Sequence, residues 1–193
     1  MSLWIGLTGK NGSGKGEAAK YLQSKNFSYF SLSDVLREEA KVRKMEATRD
    51  SLFALGNELR AKHGAGVLAQ RVLAKLKPGV NYVIDSIRHP DEVAVFRPFK
   101  HFKFLEVHAD PRIRFDRMLK RARENDPTTF EAFCELEKRE ARNATSTSQR
   151  LDETIDLADY RVSSNHDLPE LCAEIDGLIA KLDPDSGVSS KTK

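Results

Sequence analysis

Short apolar runs alternate with longer stretches of helical periodicity along this chain. Leu3-Trp4-Ile5-Gly6-Leu7 is nearly continuous in apolar residues and ends in a Gly-rich turn, the pattern of a strand buried on both faces. A helix is expected over 14–25, with Ala18, Ala19 and Leu22 on one side. A second strand is expected over 27–32, then a helix to Lys44 capped by Ser33 or Asp34. Helical patterns cover 52–62 and 67–76, and strands are expected over 81–85, 102–108 and 160–162. Pro111 opens a helix, and another covers 130–141. The closing helix, 168–182, places Leu171, Ile175, Leu178, Ile179 and Leu182 on one face. This alternation predicts an α/β fold, a parallel sheet with helices on both sides. Nothing resembling a linker divides it, so 1–182 reads as one domain. The Pro-, Ser-, Gly- and Lys-rich residues 183–193 read as a disordered tail. The charged stretch 112–150 reads as a mobile insert outside the core.

Composition narrows the class. The 193 residues carry 32 Lys and Arg against 29 Asp and Glu, a net charge of +3. That balance argues against a dedicated nucleic-acid or membrane binder. No run of about 18 apolar residues is present, and the first residues lack the basic segment of a signal peptide. Cys134 and Cys172 make neither a disulfide framework nor a zinc motif, and a reducing cytoplasm is the expected compartment. His63, His89, His101, His108 and His166 have no metal-ligand spacing and receive no role. Phe96, Phe99, Phe102 and Phe104 read as core packing rather than a base-stacking surface.

The chemistry lies in Gly9-Lys10-Asn11-Gly12-Ser13-Gly14-Lys15, which has the G-x-x-x-x-G-K spacing of a phosphate-binding loop. Glycines let successive backbone N–H groups converge on one anion. The helix that starts there adds its free N–H groups and positive dipole end, and Lys15 supplies a mobile charge for the β- and γ-phosphates. The next residues are Gly16 and Glu17, so the hydroxyl that often binds Mg²⁺ after the lysine is absent and the metal would be held through water.

Gly12-Ser13-Gly14-Lys15-Gly16 resembles the loop of adenylate kinases and related nucleoside monophosphate kinases. Three further segments match in order. Ser33-Asp34-Val35-Leu36-Arg37 resembles that family's acceptor-site segment, and Asp85-Ser86-Ile87-Arg88 resembles the run after its third strand. Ala158-Asp159-Tyr160, with Asn165 beyond, resembles the base-proximal segment of dephospho-coenzyme A kinases. Over about 3–182 the chain is similar to an uncharacterised, mostly archaeal family of adenylate-kinase-like P-loop proteins.

The resemblance implies a three-layer α/β/α P-loop kinase fold with a five-stranded parallel sheet, acceptor-binding helices over about 33–77 and a helical lid over about 112–142. It implies ATP and Mg²⁺ as cofactors and a small phosphate-bearing acceptor as partner. Gly9, Asn11, Gly12, Ser13, Gly14, Lys15, Gly16, Glu17 and Asn165 would bind ATP. Asp34, Arg37 and Arg88 would bind the acceptor, Asp34 being alternatively only a helix cap. Asp85, at the end of a buried strand, would organise Mg²⁺ through water. Lys15, Asp85, Arg121 and Arg123 would serve catalysis, with Arg117, Arg139 and Arg142 in the lid. The implied activity is transfer of the γ-phosphate to a nucleoside or deoxynucleoside monophosphate. The alternatives are a dephospho-coenzyme A kinase-like or other small-molecule kinase, and an ATP-binding regulator without catalysis.

Overall fold

A computed structural model of the chain describes residues 2–121, 126–142 and 149–182. Arg123 and the tail 183–193 lie outside the described residues, as do the side chains of Arg139 and Arg142.

Five strands, β1 (Trp4–Thr8), β2 (Ser28–Ser31), β3 (Tyr82–Asp85), β4 (Phe102–His108) and β5 (Tyr160–Ser163), form one sheet in the order β2-β3-β1-β4-β5. Every pairing is parallel. Nine helices are described: α1 (Lys15–Ser24), α2 (Leu32–Val42), α3 (Arg49–His63), α4 (Val67–Leu73), α5 (Pro90–Phe96), α6 (Pro111–Arg121), α7 (Phe130–Arg142), α8 (Leu151–Ile155) and α9 (Leu168–Leu182). All five residues of the central β1 are buried, which explains its unbroken apolar run. Trp4 joins the core beneath α2–α5 with Ile84, Phe96, Phe102 and Phe104. Ile5 and Leu7 point the other way, into the layer of α1 and α9 with Leu22, Leu171 and Ile175. Gly6 faces the Phe102 ring so closely that a Cβ there would approach it to 2.7 Å.

The structure corrects two expectations and adds a helix, α5, that the sequence pattern had not predicted. The cap of α2 is Ser31, whose Oγ accepts from the Ser33 N–H at 3.2 Å, so Asp34 already lies inside the helix. The helix α5 is capped by His89, whose Nδ1 accepts from the Asp91 N–H, while Glu92 returns a bond to the His89 N–H. Histidine is outside the usual set of N-cap residues, so Pro90 at the first helical position was the visible sign. The stretch 112–150 is not simply an insert outside the core. Phe115, Met118 and Phe133 form a buried cluster between α6 and α7, with Phe130 and Cys134 against it. Arg114 is buried with them. It donates from Nε to the Ala109 carbonyl at 2.9 Å, grips Glu137 with both guanidinium nitrogens and lies 5.2 Å from the Phe133 ring centre.

Candidate active site

The chain leaves β1 toward β2 on one side and leaves β3 toward β4 on the other, so the order reverses between β1 and β3. Such a switch point opens a crevice at the C-terminal strand ends. The loop after β1 fills it. Gly9, Gly12 and Gly14 take φ of 141°, 78° and 95°, values open to glycine at little cost. Each is also hemmed in. A Cβ at Gly9 would meet the Val107 carbonyl oxygen at 2.3 Å, one at Gly12 the Arg114 carbonyl oxygen at 2.8 Å, and one at Gly14 the Ser164 hydroxyl at 2.5 Å. The loop is thus clasped by the end of β4, by α6 and by the turn after β5. Gly16 differs, because a Cβ there would meet none of the described residues within 4 Å.

Lys15 opens α1 and folds back over the loop, donating from Nζ to the Gly9 carbonyl at 2.6 Å and the Lys10 carbonyl at 2.9 Å. Burial lowers its pKa from 10.5 to about 7; the nearby charges of Arg88, Arg114 and Arg121 push the same way and Asp85 opposes them. This surplus of positive charge is what an entering anion neutralises. Ser13 Oγ is buried and has no hydrogen-bond partner among the described residues.

A cavity of about 430 Å³ lies over the loop. It is lined by residues 11–17, by Asp85, Ser86 and Arg88 after β3, by Arg117 and Arg121 of α6, and by Ser164, His166, Asp167, Leu168 and Leu171 after β5. Arg117 donates to the Gly12 carbonyl at 3.3 Å and to the Ser164 hydroxyl at 3.1 Å. Arg121 reaches Asn11 Oδ1 at 3.1 Å and pairs with Asp126 at 3.0 Å. Asp85 Oδ1 accepts from the Ser86 N–H at 2.6 Å, and its Oδ2 lies 3.3 Å from the Tyr29 hydroxyl. Burial and then the Asp85 charge push the Tyr29 phenol up to about 12.

The structure therefore brings together Asn11, Gly12, Ser13, Gly14, Lys15, Gly16, Glu17, Asp85, Arg88, Arg117 and Arg121 from the expected set. Gly9, the first residue of the loop, is not part of the lining. Three expected residues are not brought to the cavity. Asp34 and Arg37 pair with each other at 2.9 Å, both more than half exposed. Asn165 turns its Oδ1 to the Asp110 N–H at 2.7 Å instead, and its neighbours Ser164 and His166 line the cavity. Ser86, Ser164, His166, Asp167 and Leu168 line the cavity without having been expected there, and residues around α8 brace it from outside the lining. Gln149 Oε1 accepts from Arg88 at 3.2 Å, the Arg88 carbonyl accepts from the Arg150 N–H at 3.0 Å, and Asp152 pairs with Lys10 at 3.0 Å. No motif marks these; only an isolated short helix pattern after the charged run could have drawn attention to α8.

The residues present fit a Mg²⁺–nucleotide held through water. Asp85 offers a carboxylate beside the loop, and the open space at Gly16 leaves room for metal-bound water. Among the described residues no group of three or more His, Cys, Asp or Glu could chelate a metal directly. Nor is any described helix long and apolar enough to cross a membrane.

Residues 5–144 match a family model described as an AAA domain. The UPF0200 protein of Hyperthermus butylicus is 35% identical over 182 residues, covering 93% of this chain and 95% of the relative. That of Pyrococcus abyssi is 33% identical over 183 residues, covering 91% and 95%. Among solved structures, TT1252 from Thermus thermophilus superposes with a TM-score of 0.62 at 18% identity, covering 94% of this chain and 98% of that one. Shikimate kinase from Aquifex aeolicus superposes with a TM-score of 0.54 at 16% identity, covering 96% and 100%. The fold is that of the P-loop kinases. By these matches the chain belongs to the AAA-domain family over residues 5–144 and, across nearly its whole length, to the family of UPF0200 proteins.

Proposed function

We propose that this protein is an ATP-dependent phosphotransferase whose acceptor is a nucleoside or deoxynucleoside monophosphate. The observation that supports it is a single cavity in which the glycine loop, Lys15, Asp85 and three arginines, Arg88, Arg117 and Arg121, face one volume. The triphosphate lies along the N–H groups of residues 11–17, with Lys15 on the β- and γ-phosphates. Ser164, His166, Leu168 and Leu171 border the nucleoside end. Asp85 would hold Mg²⁺ through water beside the loop, and the metal would supply neutralisation of phosphate charge. Arg88 holds the acceptor, and Arg121, on leaving Asp126, covers the transferring group. Arg123, Arg139 and Arg142 are assigned with it to a lid. Catalysis is positioning and charge neutralisation, with no covalent enzyme intermediate. Cys134 and Cys172 are free thiols, which supports a reducing compartment such as the cytoplasm.

A second reading, a different small-molecule acceptor, is favoured by one observation: Arg37 is paired with Asp34 and lies outside the cavity lining. Of the two arginines expected on the acceptor side, Arg88 is then the one that lines the cavity. The test is ADP formation by the full chain with Mg²⁺-ATP and each nucleoside or deoxynucleoside monophosphate, against shikimate, dephospho-coenzyme A and no acceptor. Stimulation by a monophosphate, lost by at least about 10²-fold in Lys15→Ala, supports the first reading. Stimulation only by another acceptor selects the second, and no stimulation by any overturns both.

A further inference from the structure

Arg88 stands on a loop held by more than its own strand. Ser86, two residues before it, takes a φ of 65°, a sparsely populated conformation for a residue with a Cβ that persists only where the surroundings hold it. Part of the hold comes from β1, where Thr8 Oγ1 donates to the Ile87 carbonyl at 3.0 Å. Arg150 adds another part, its N–H donating to the Arg88 carbonyl at 3.0 Å, and the only one of these that is a buried charge comes from Glu92. Its side chain is fully buried, and Oε2 accepts from the N–H of Arg88 at 2.8 Å and of His89 at 3.1 Å. Its Oε1 accepts from Arg60 of α3, from Nη2 at 2.9 Å and Nε at 3.3 Å, and the Arg60 side chain is only 4% exposed.

A capping box needs only one bond from this glutamate, to the N-cap N–H. A neutral glutamine would make it without the desolvation cost of a buried ion pair, which is seldom repaid in stability. The surplus bonds have a direction: one carboxylate joins α3, the capped turn of α5 and the backbone of Arg88. We propose that Glu92, held in place by Arg60, is a positioning residue for Arg88, fixing the backbone from which its guanidinium reaches the phosphate site. This rests on the reading of the cavity as a phosphate site and assigns what aims its acceptor-side arginine.

The test uses calorimetric binding of inorganic tripolyphosphate to the full chain and two charge-balanced variants. R60M/E92Q keeps an oxygen for the two N–H groups; R60M/E92L removes it. Arg88→Met should weaken binding by about tenfold or more, the loss of one charge-assisted contact. R60M/E92L should lose as much, R60M/E92Q should stay within about threefold of the parent, and Arg88→Met added to R60M/E92L should cost nothing further. Full additivity of the Arg88 and Glu92 losses, or an unchanged affinity in R60M/E92L, overturns the proposal. Amide exchange in the parent gives a second reading should the leucine variant not fold. The Arg88 and His89 amides should be protected without ligand to the level of β3, and exchange as fast as an exposed loop overturns it. If the parent does not bind tripolyphosphate, the proposal and the proposed function fall together. Binding without ADP formation removes the function alone.

Discussion

Lys15 should turn nucleotide binding into a proton-uptake reaction. In the free protein its amine has a pKa of about 7, lowered mainly by burial and then by Arg88. A triphosphate on the loop supplies negative charge beside it and raises that pKa. At pH 8 a group of pKa about 7 is roughly nine-tenths neutral, so ATP binding takes up about 0.9 proton; at pH 6 it takes up about 0.1. Affinity should then fall about fivefold from pH 7 to 8 and about tenfold from pH 8 to 9. The sign follows from the shift: binding is strongest below the free pKa and weakens as pH rises toward the bound one. Calorimetry at pH 8 in two buffers of different ionisation enthalpy reads the uptake directly, because the observed enthalpies differ by the protons taken from buffer. Lys15→Arg, charged throughout, should abolish the difference. Equal enthalpies in both buffers for the parent protein would mean that Lys15 is already charged in the free loop, and the electrostatic reasoning would be wrong.

Gly12→Ala adds a Cβ at φ 78° against the Arg114 carbonyl oxygen at 2.8 Å. The conformation alone costs about 1–2 kcal/mol, so Tm should fall by several degrees and ATP binding should weaken, whereas Gly177→Ala, with nothing within 4 Å, should raise Tm slightly in α9; equal melting changes would refute the crowding argument. Gly16→Ser enters open space and restores a hydroxyl beside the phosphates, so the Mg²⁺ concentration for half-maximal ADP formation should drop without loss of Tm; an unchanged Mg²⁺ titration would count against a metal at this position. Burial lowers the pKa of His101, whose ring meets Trp4 edge-on at 4.3 Å and whose buried Nε2 has no hydrogen-bond partner among the described residues. Its contribution to stability is therefore present above about pH 6.5 and lost as pH falls toward the folded value; melting curves of His101→Phe should decline less between pH 7 and 5 than those of the parent, and parallel declines would exclude His101.

The phosphate loop was legible because its chemistry is local. Seven consecutive residues carry the turn, the N–H array and the lysine, and the apolar run before them and the Ala-rich helix after them have their own periods. The five parallel strands and the buried stripe of α9 were visible for the same reason. The walls of the cavity were legible only in part: Asp85, Arg88, Arg117 and Arg121 were expected there, and the turn after β5 was not. Asp34 and Arg37 have the residue types of a phosphate site, yet their spacing of three on one exposed helix lets them satisfy each other. Asn165 missed the cavity by one position, since the backbone angles of the turn after β5 decide which side chain faces inward. Arg114 reads as one more cation in the charged stretch until α7 brings Glu137 to it, and Glu92, on a helix that no expected element covered, shows its part only when α3 brings Arg60. Local periodicity determines which face of each element is apolar, and with it the sheet and its layers. Which charges end buried and paired depends on partners 23 and 32 residues away, and those meet only once the helices have docked.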